Sequence, residues 1–120
     1  MITVDDVREV ALGLPRAYEA LVRGRIKFRV GQIVFVAFSA DETLMGFGFP
    51  REERQALVDS EPDKFQLPGK GDMRYQWVVA RTEALDSDEM RELVTDAWRM
   101  CVPKKVADSV FGGTDSDISP

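Results

Sequence analysis

The six residues Arg25–Val30 constrain this chain more than any other stretch of it. Apolar Ile26, Phe28 and Val30 alternate with Arg25, Lys27 and Arg29. Successive side chains of a strand point to opposite faces, so one face of this segment must enter a core while the other meets water. Half-buried strands of this kind belong to antiparallel sheets with one covered face. The flanking residues agree. Gly31 and Gln32 make a short turn into Ile33–Phe38, which is apolar on both faces and reads as a central strand. Ala40–Thr43 turns into a further strand, Leu44–Phe49, on which Gly46 and Gly48 share a face and leave room for another group to approach the backbone. Tyr18–Arg23 reads as a short first strand, and Arg74–Ala80 as a later one with Tyr75, Trp77 and Val79 on one side. Turns this short connect antiparallel neighbours.

Helical periodicity brackets the strands. Thr3 is a fit N-cap for a helix over 3–13, with Asp5 and Asp6 where the helix dipole favours acids, and Val4, Val7, Val10, Ala11 and Leu14 at helical spacing. Pro50 suits the first position of a second helix ending near Ser60. The stretch from Glu61 to Met73, with two prolines and two glycines, reads as a loop. Asp86, with Glu89 three residues on, opens the last long helix, whose stripe is Met90, Leu93, Val94, Ala97, Trp98 and Cys101. Pro103 kinks or ends that helix, and Lys104 and Lys105 fall near its negative end. Val106–Val110 adds a helical turn. The expected fold is therefore α+β: a two-layer sandwich of about five antiparallel strands with helices on one face, in the order α-β-β-β-β-α-β-α. One domain over 1–110 accounts for the length, and 111–120, rich in Gly, Ser and Asp, is expected to be a disordered tail.

Composition removes several function classes. There is no histidine and a single cysteine, Cys101, so no intramolecular disulfide and no four-ligand Cys/His zinc site can form, and the commonest general base is missing. Phosphate loops and nucleophile elbows are absent from the sequence. No catalytic residue, metal or cofactor is assigned, and the expectation is a binding module that is not an enzyme. No apolar run is long enough to span a membrane and no secretion signal opens the chain, so a cytoplasmic location and no membrane partner are expected. Net charge is −5, which argues against a general polyanion binder. The distribution is uneven, however. Between Arg16 and Arg29 stand five basic residues against one acid, Glu19, a net of +4 that leaves −9 for the rest.

Three stretches, taken in order, resemble the MmcQ/YjbR family. They are Leu12-Gly13-Leu14-Pro15, the hairpin Phe28-Arg29-Val30-Gly31-Gln32-Ile33-Val34-Phe35 with its F-x-V-G-x-x-x-F pattern, and the strand through Trp77, Val78 and Val79 followed by Leu93–Trp98. The resemblance runs over about residues 3–107. It implies a bacterial protein with a frataxin-like (CyaY-like) fold and a DNA-binding role. Relatives carry Lys and His before the strand tryptophan; here Arg74 keeps the charge and Gln76 loses the imidazole. Relatives also carry Lys on the strand that here reads Met45–Phe49.

The candidate nucleic-acid residues are Arg23, Arg25, Lys27 and Arg29, two apart on one strand face, with Arg74 as an addition from the later strand and Lys64 and Lys70 near it. Rows of cations at this spacing can meet backbone phosphates, although Gly24 could place a turn inside the row and remove Arg23. Binding should be weak and salt-sensitive, by a monomer. The bland alternative is a solvated face that deters edge-to-edge pairing. Trp77 and Tyr75 read as core anchors, with base stacking as the rival, and Cys101 as a buried thiol. Asp5, Asp6 and Glu9 read as cap and dipole residues rather than a metal site. A protein-interaction or small-ligand module built on the Gly46/Gly48 face is the other functional reading.

Overall fold

The computed structural model describes residues 1–111. The order is α1 (Val4–Ala11), β1 (Ala17–Val22), β2 (Arg25–Val30), β3 (Ile33–Phe38), β4 (Leu44–Gly48), α2 (Arg54–Ser60), β5 (Phe65–Gln66), β6 (Trp77–Arg81), α3 (Ser87–Arg99) and α4 (Lys104–Phe111). Short 3₁₀ turns lie at Lys70–Asp72 and Thr82–Ala84. All strand pairs are antiparallel, and the open six-stranded sheet has the order β1-β2-β3-β4-β6-β5.

The hairpins follow from their turn residues. Arg23 and Gly24 both take positive φ, 54° and 76°, the arrangement that matches the twist of a two-residue hairpin, and Val22 then pairs with Arg25. Gly31, at φ 59°, does the same for the Val30–Ile33 pair. The register shifts at Phe28/Arg29, where β3 carries an extra residue, Phe35, opposite β2.

One face of the sheet is the core. Phe28, Val36, Met45, Phe47, Val78 and Ala80 are fully buried there, in one cluster with Val7 and Ala11 of α1 and Met90, Val94, Ala97 and Trp98 of α3. The Thr3 cap forms as a full capping box: Asp6 N–H donates to Thr3 Oγ1 at 3.2 Å, and Thr3 N–H donates to the Asp6 carboxylate at 2.9 Å. Asp86 caps α3 by accepting from Glu89 N–H at 2.8 Å. The Trp98 indole N–H donates to Pro15 O at 2.9 Å, pinning α3 to the chain leaving α1.

Several expectations change. The sheet has six strands rather than about five. The additional one, β5, lies inside the stretch read as a loop, because Phe65 buries its ring edge-on to Phe47, at 6.3 Å between centroids. The strand expected from Arg74 starts at Trp77, and Arg74 sits in the turn before it. Pro50 begins a turn, and the second helix starts only at Arg54. Lys104 and Lys105 open α4 instead of closing α3, since Pro103 interrupts the helix ahead of them. Of the expected tail, Phe111 ends α4, and 112–120 fall outside the described residues. Among the described residues, no helix is long and apolar enough to cross a membrane.

A candidate nucleic-acid interface on the open sheet face

A groove of about 870 Å³ is built mostly by side chains on the sheet face away from Phe28 and Phe47, and also by Ala97, Met100 and Cys101 at the C-terminal end of α3, where Ala97 packs against Gly48. Its floor is set by register. Lys27 pairs with Ala37, Ala37 with Gly46, and Gly46 with Val79, so these four residues cross the sheet in one row on the face opposite Phe28 and Phe47. All four line the groove, with Gly48 and Trp77 beside them. Small residues in the middle and long ones at the margins make the face concave. From β2 to β6 is three strand spacings, about 14 Å.

One wall is β2. Arg25 and Lys27 line the groove from the same side of the strand. Arg29 continues the row next to Val34, but the groove does not reach it. Its Nε is shut off from solvent and has no hydrogen-bond partner. Arg23, in the hairpin turn at φ 54°, leaves the row, as Gly24 allowed.

The opposite wall is the segment just before β6, which reaches the groove without belonging to a strand or helix. Two arginines hold it by its carbonyls. Arg54 on α2, only 7% exposed, donates to Met73 O at 2.7 Å and Tyr75 O at 2.8 Å. Arg51 donates to Arg74 O at 2.7 Å, and its backbone N–H to the Gln76 side chain at 3.3 Å. The segment thereby presents Arg74, whose guanidinium lies over the Tyr75 ring at 4.9 Å and donates to its hydroxyl at 3.0 Å. Arg51, Arg74 and Tyr75 all line the groove.

The electrostatics are one-sided. Arg25, Lys27, Arg51 and Arg74 line the groove against one acid, Asp72. None of the four makes an ion pair with a carboxylate among the described residues. Nearby acids are engaged elsewhere. Glu19, the acid within the basic segment, stands opposite Phe28 on the core side. It accepts both guanidinium prongs of Arg8 at 2.7 and 2.9 Å, bonds that hold its carboxyl below the ordinary range. Lys64 does not extend the row. Glu89 and Glu61 take its ammonium at 2.9 and 3.0 Å and raise its pKa, Glu89 most.

Other sequence candidates also find their places. Asp6 is used by the capping box and Asp5 by Arg8. Cys101 is half-buried, donates its thiol to Ala97 O at 3.5 Å, and is pushed up in pKa by burial. Trp77 and Tyr75 are not core anchors. Val78 and Ala80 fill the core from β6, and Trp77 faces the groove. Sequence reasoning missed Arg51 and Arg54. Both sit where a helix start was expected, and no periodicity distinguishes a surface arginine there from one that grips a loop.

Over the described residues, the fold and groove define an α+β domain with an open antiparallel sheet, four helices and a cationic concavity lined by the sheet, the segment before β6 and the end of α3. The chain belongs to the YjbR family, whose model matches residues 12–100. Its fold is similar to that in the crystal structure of Deinococcus radiodurans protein DR2400, described with the family-model domain DUF419. The TM-score is 0.75 at 18% identity, covering 91% of this chain and 88% of that one. No curated protein matches the chain.

Proposed function

We propose that this protein is a non-enzymatic, sequence-tolerant nucleic-acid-binding module, acting in the cytoplasm as a monomer. The observation that carries the reading is the gathering of Arg25, Lys27, Arg51 and Arg74 on one groove, unpaired with any described carboxylate, in a chain of net charge −5. Uncompensated like charges repel in the free protein and are relieved by a bound polyanion. Arg25 and Lys27 contact phosphates from β2 and Arg74 from the opposite wall. Arg29 and Arg23 add charge from the end of the strand and from the turn. The absence of histidine and the single carboxylate at the groove favour binding over catalysis. The order of elements also supports a frataxin-like (CyaY-like) architecture.

A salt series tests the reading. With about four phosphate contacts, log affinity for duplex DNA falls against log salt with a slope near −3.6. Replacing Arg25, Lys27 and Arg29 together by alanine flattens that slope and weakens binding at every salt concentration. Equal affinity of wild type and the triple variant would overturn the proposal. A second reading, a small ligand in the same groove, draws support from the groove volume of about 870 Å³, which falls within the usual range for small-molecule sites. It predicts binding that ignores salt.

A further inference from the structure

Phosphate contacts leave the centre of the groove unexplained. A Cβ at position 46 would stand 2.5 Å from Trp77 Nε1 and 2.7 Å from Cε2 and Cζ2. The indole therefore lies against the bare backbone of β4, in the space where any other residue would put a side chain. Trp77 is nevertheless only half-buried and lines the groove. Trp98, by contrast, is fully buried with its N–H bonded. Apolar Ala37 and Val79 border the indole on the floor, and Tyr75, 51% exposed, stands at the rim under the Arg74 guanidinium. Aromatic surface is thus held at the bottom of a cationic trough. A duplex hides the faces of its bases, whereas an unpaired strand offers them for stacking between its phosphates.

We infer that the groove takes single-stranded nucleic acid, with a base stacked on the Trp77 indole and flanking phosphates on Arg25 and Lys27 and on Arg51 and Arg74. This rests on the nucleic-acid reading above and narrows it. Gly46 is the positioning residue: it lets the indole sit against the β4 backbone.

The test is anisotropy at low salt with four probes: an oligothymidylate of about ten nucleotides, an abasic strand of the same length and charge, a hairpin duplex, and thymidine monophosphate. The oligothymidylate should bind roughly tenfold more tightly than the abasic strand. That difference should vanish in Trp77→Ala, survive largely in Trp77→Phe, and shrink in Gly46→Ala, which displaces the indole. Comparison of Trp77→Phe with Trp77→Ala separates stacking from misfolding. Equal binding of abasic and normal strands, both weakened by Arg25→Ala/Lys27→Ala, overturns the stacking and leaves the charge-based reading standing. A duplex bound more tightly than the single strand, or a mononucleotide bound as tightly as the oligomer, overturns the strand assignment. Binding of none of the probes ends both proposals.

Discussion

The two faces of one sheet are made by the same strands, residue by alternate residue, and they differ in everything else. On the covered face Phe28, Val36, Met45, Phe47 and Val78 are all fully buried. On the open face the corresponding row is Lys27, Ala37, Gly46 and Val79. Large apolar side chains supply area to bury, and that area is the main source of stability. Small side chains flanked by cations bury little but leave a hollow with a field. The division of labour is set by strand periodicity, so stability and binding should respond to different substitutions along the same strand.

The largest expected effect breaks this comparison if it is absent. Phe47→Ala empties the centre of the covered face and should cost about 3–5 kcal/mol in denaturant unfolding. Lys27→Ala on the open face should change stability by no more than about 0.5 kcal/mol. Similar losses for the two would mean that the open face is also structural. Next is Arg54→Met, which leaves Met73 O and Tyr75 O without their donor. Loss of those bonds should lower stability by about 1–3 kcal/mol. Because Arg54 does not line the groove, a drop in nucleic-acid affinity in this variant, measured where it is still fully folded, would show that the wall must be held in place. The smallest effect concerns acid. Asp41 accepts from Thr43 N–H, the Ser39 hydroxyl and the Thr43 hydroxyl, and these bonds, led by the first, depress its pKa to about 2. A depressed folded-state pKa adds stability above the ordinary value of 3.8 and loses it as pH falls towards about 2. The side chain is exposed, so the effect is slight. Asp41→Asn should remove that part of the acid dependence, and an NMR titration should give the Asp41 midpoint. A midpoint at the ordinary value would refute the bonding.

Much of the scaffold was legible. The strands Arg25–Val30 and Ile33–Phe38 have the expected bounds, because alternation and turn glycines are local signals. Thr3 and Asp86 cap their helices as their types suggest. The family likeness drawn from three short stretches agrees with the match over residues 12–100. The groove was less legible. In β6 both parities are apolar, Trp77 and Val79 on one side and Val78 and Ala80 on the other, so alternation could not say which side enters the core. The close fit of Gly46 to Trp77 joins residues far apart in sequence, and only the pairing of β4 with β6 brings them together. Arg51 and Arg54 act through bonds to backbone carbonyls, which carry no trace in the identity of the residues that accept them.

Consecutive carbonyls of Met73, Arg74 and Tyr75 are tied to guanidinium groups rather than to a neighbouring strand. A rim secured in this way moves with whatever carries its tethers. When α2 frays, amides of the rim should exchange with solvent together with those of the helix, while the β4–β6 ladder stays protected. The short helix would then serve as the latch of the trough, at a distance from anything the trough holds.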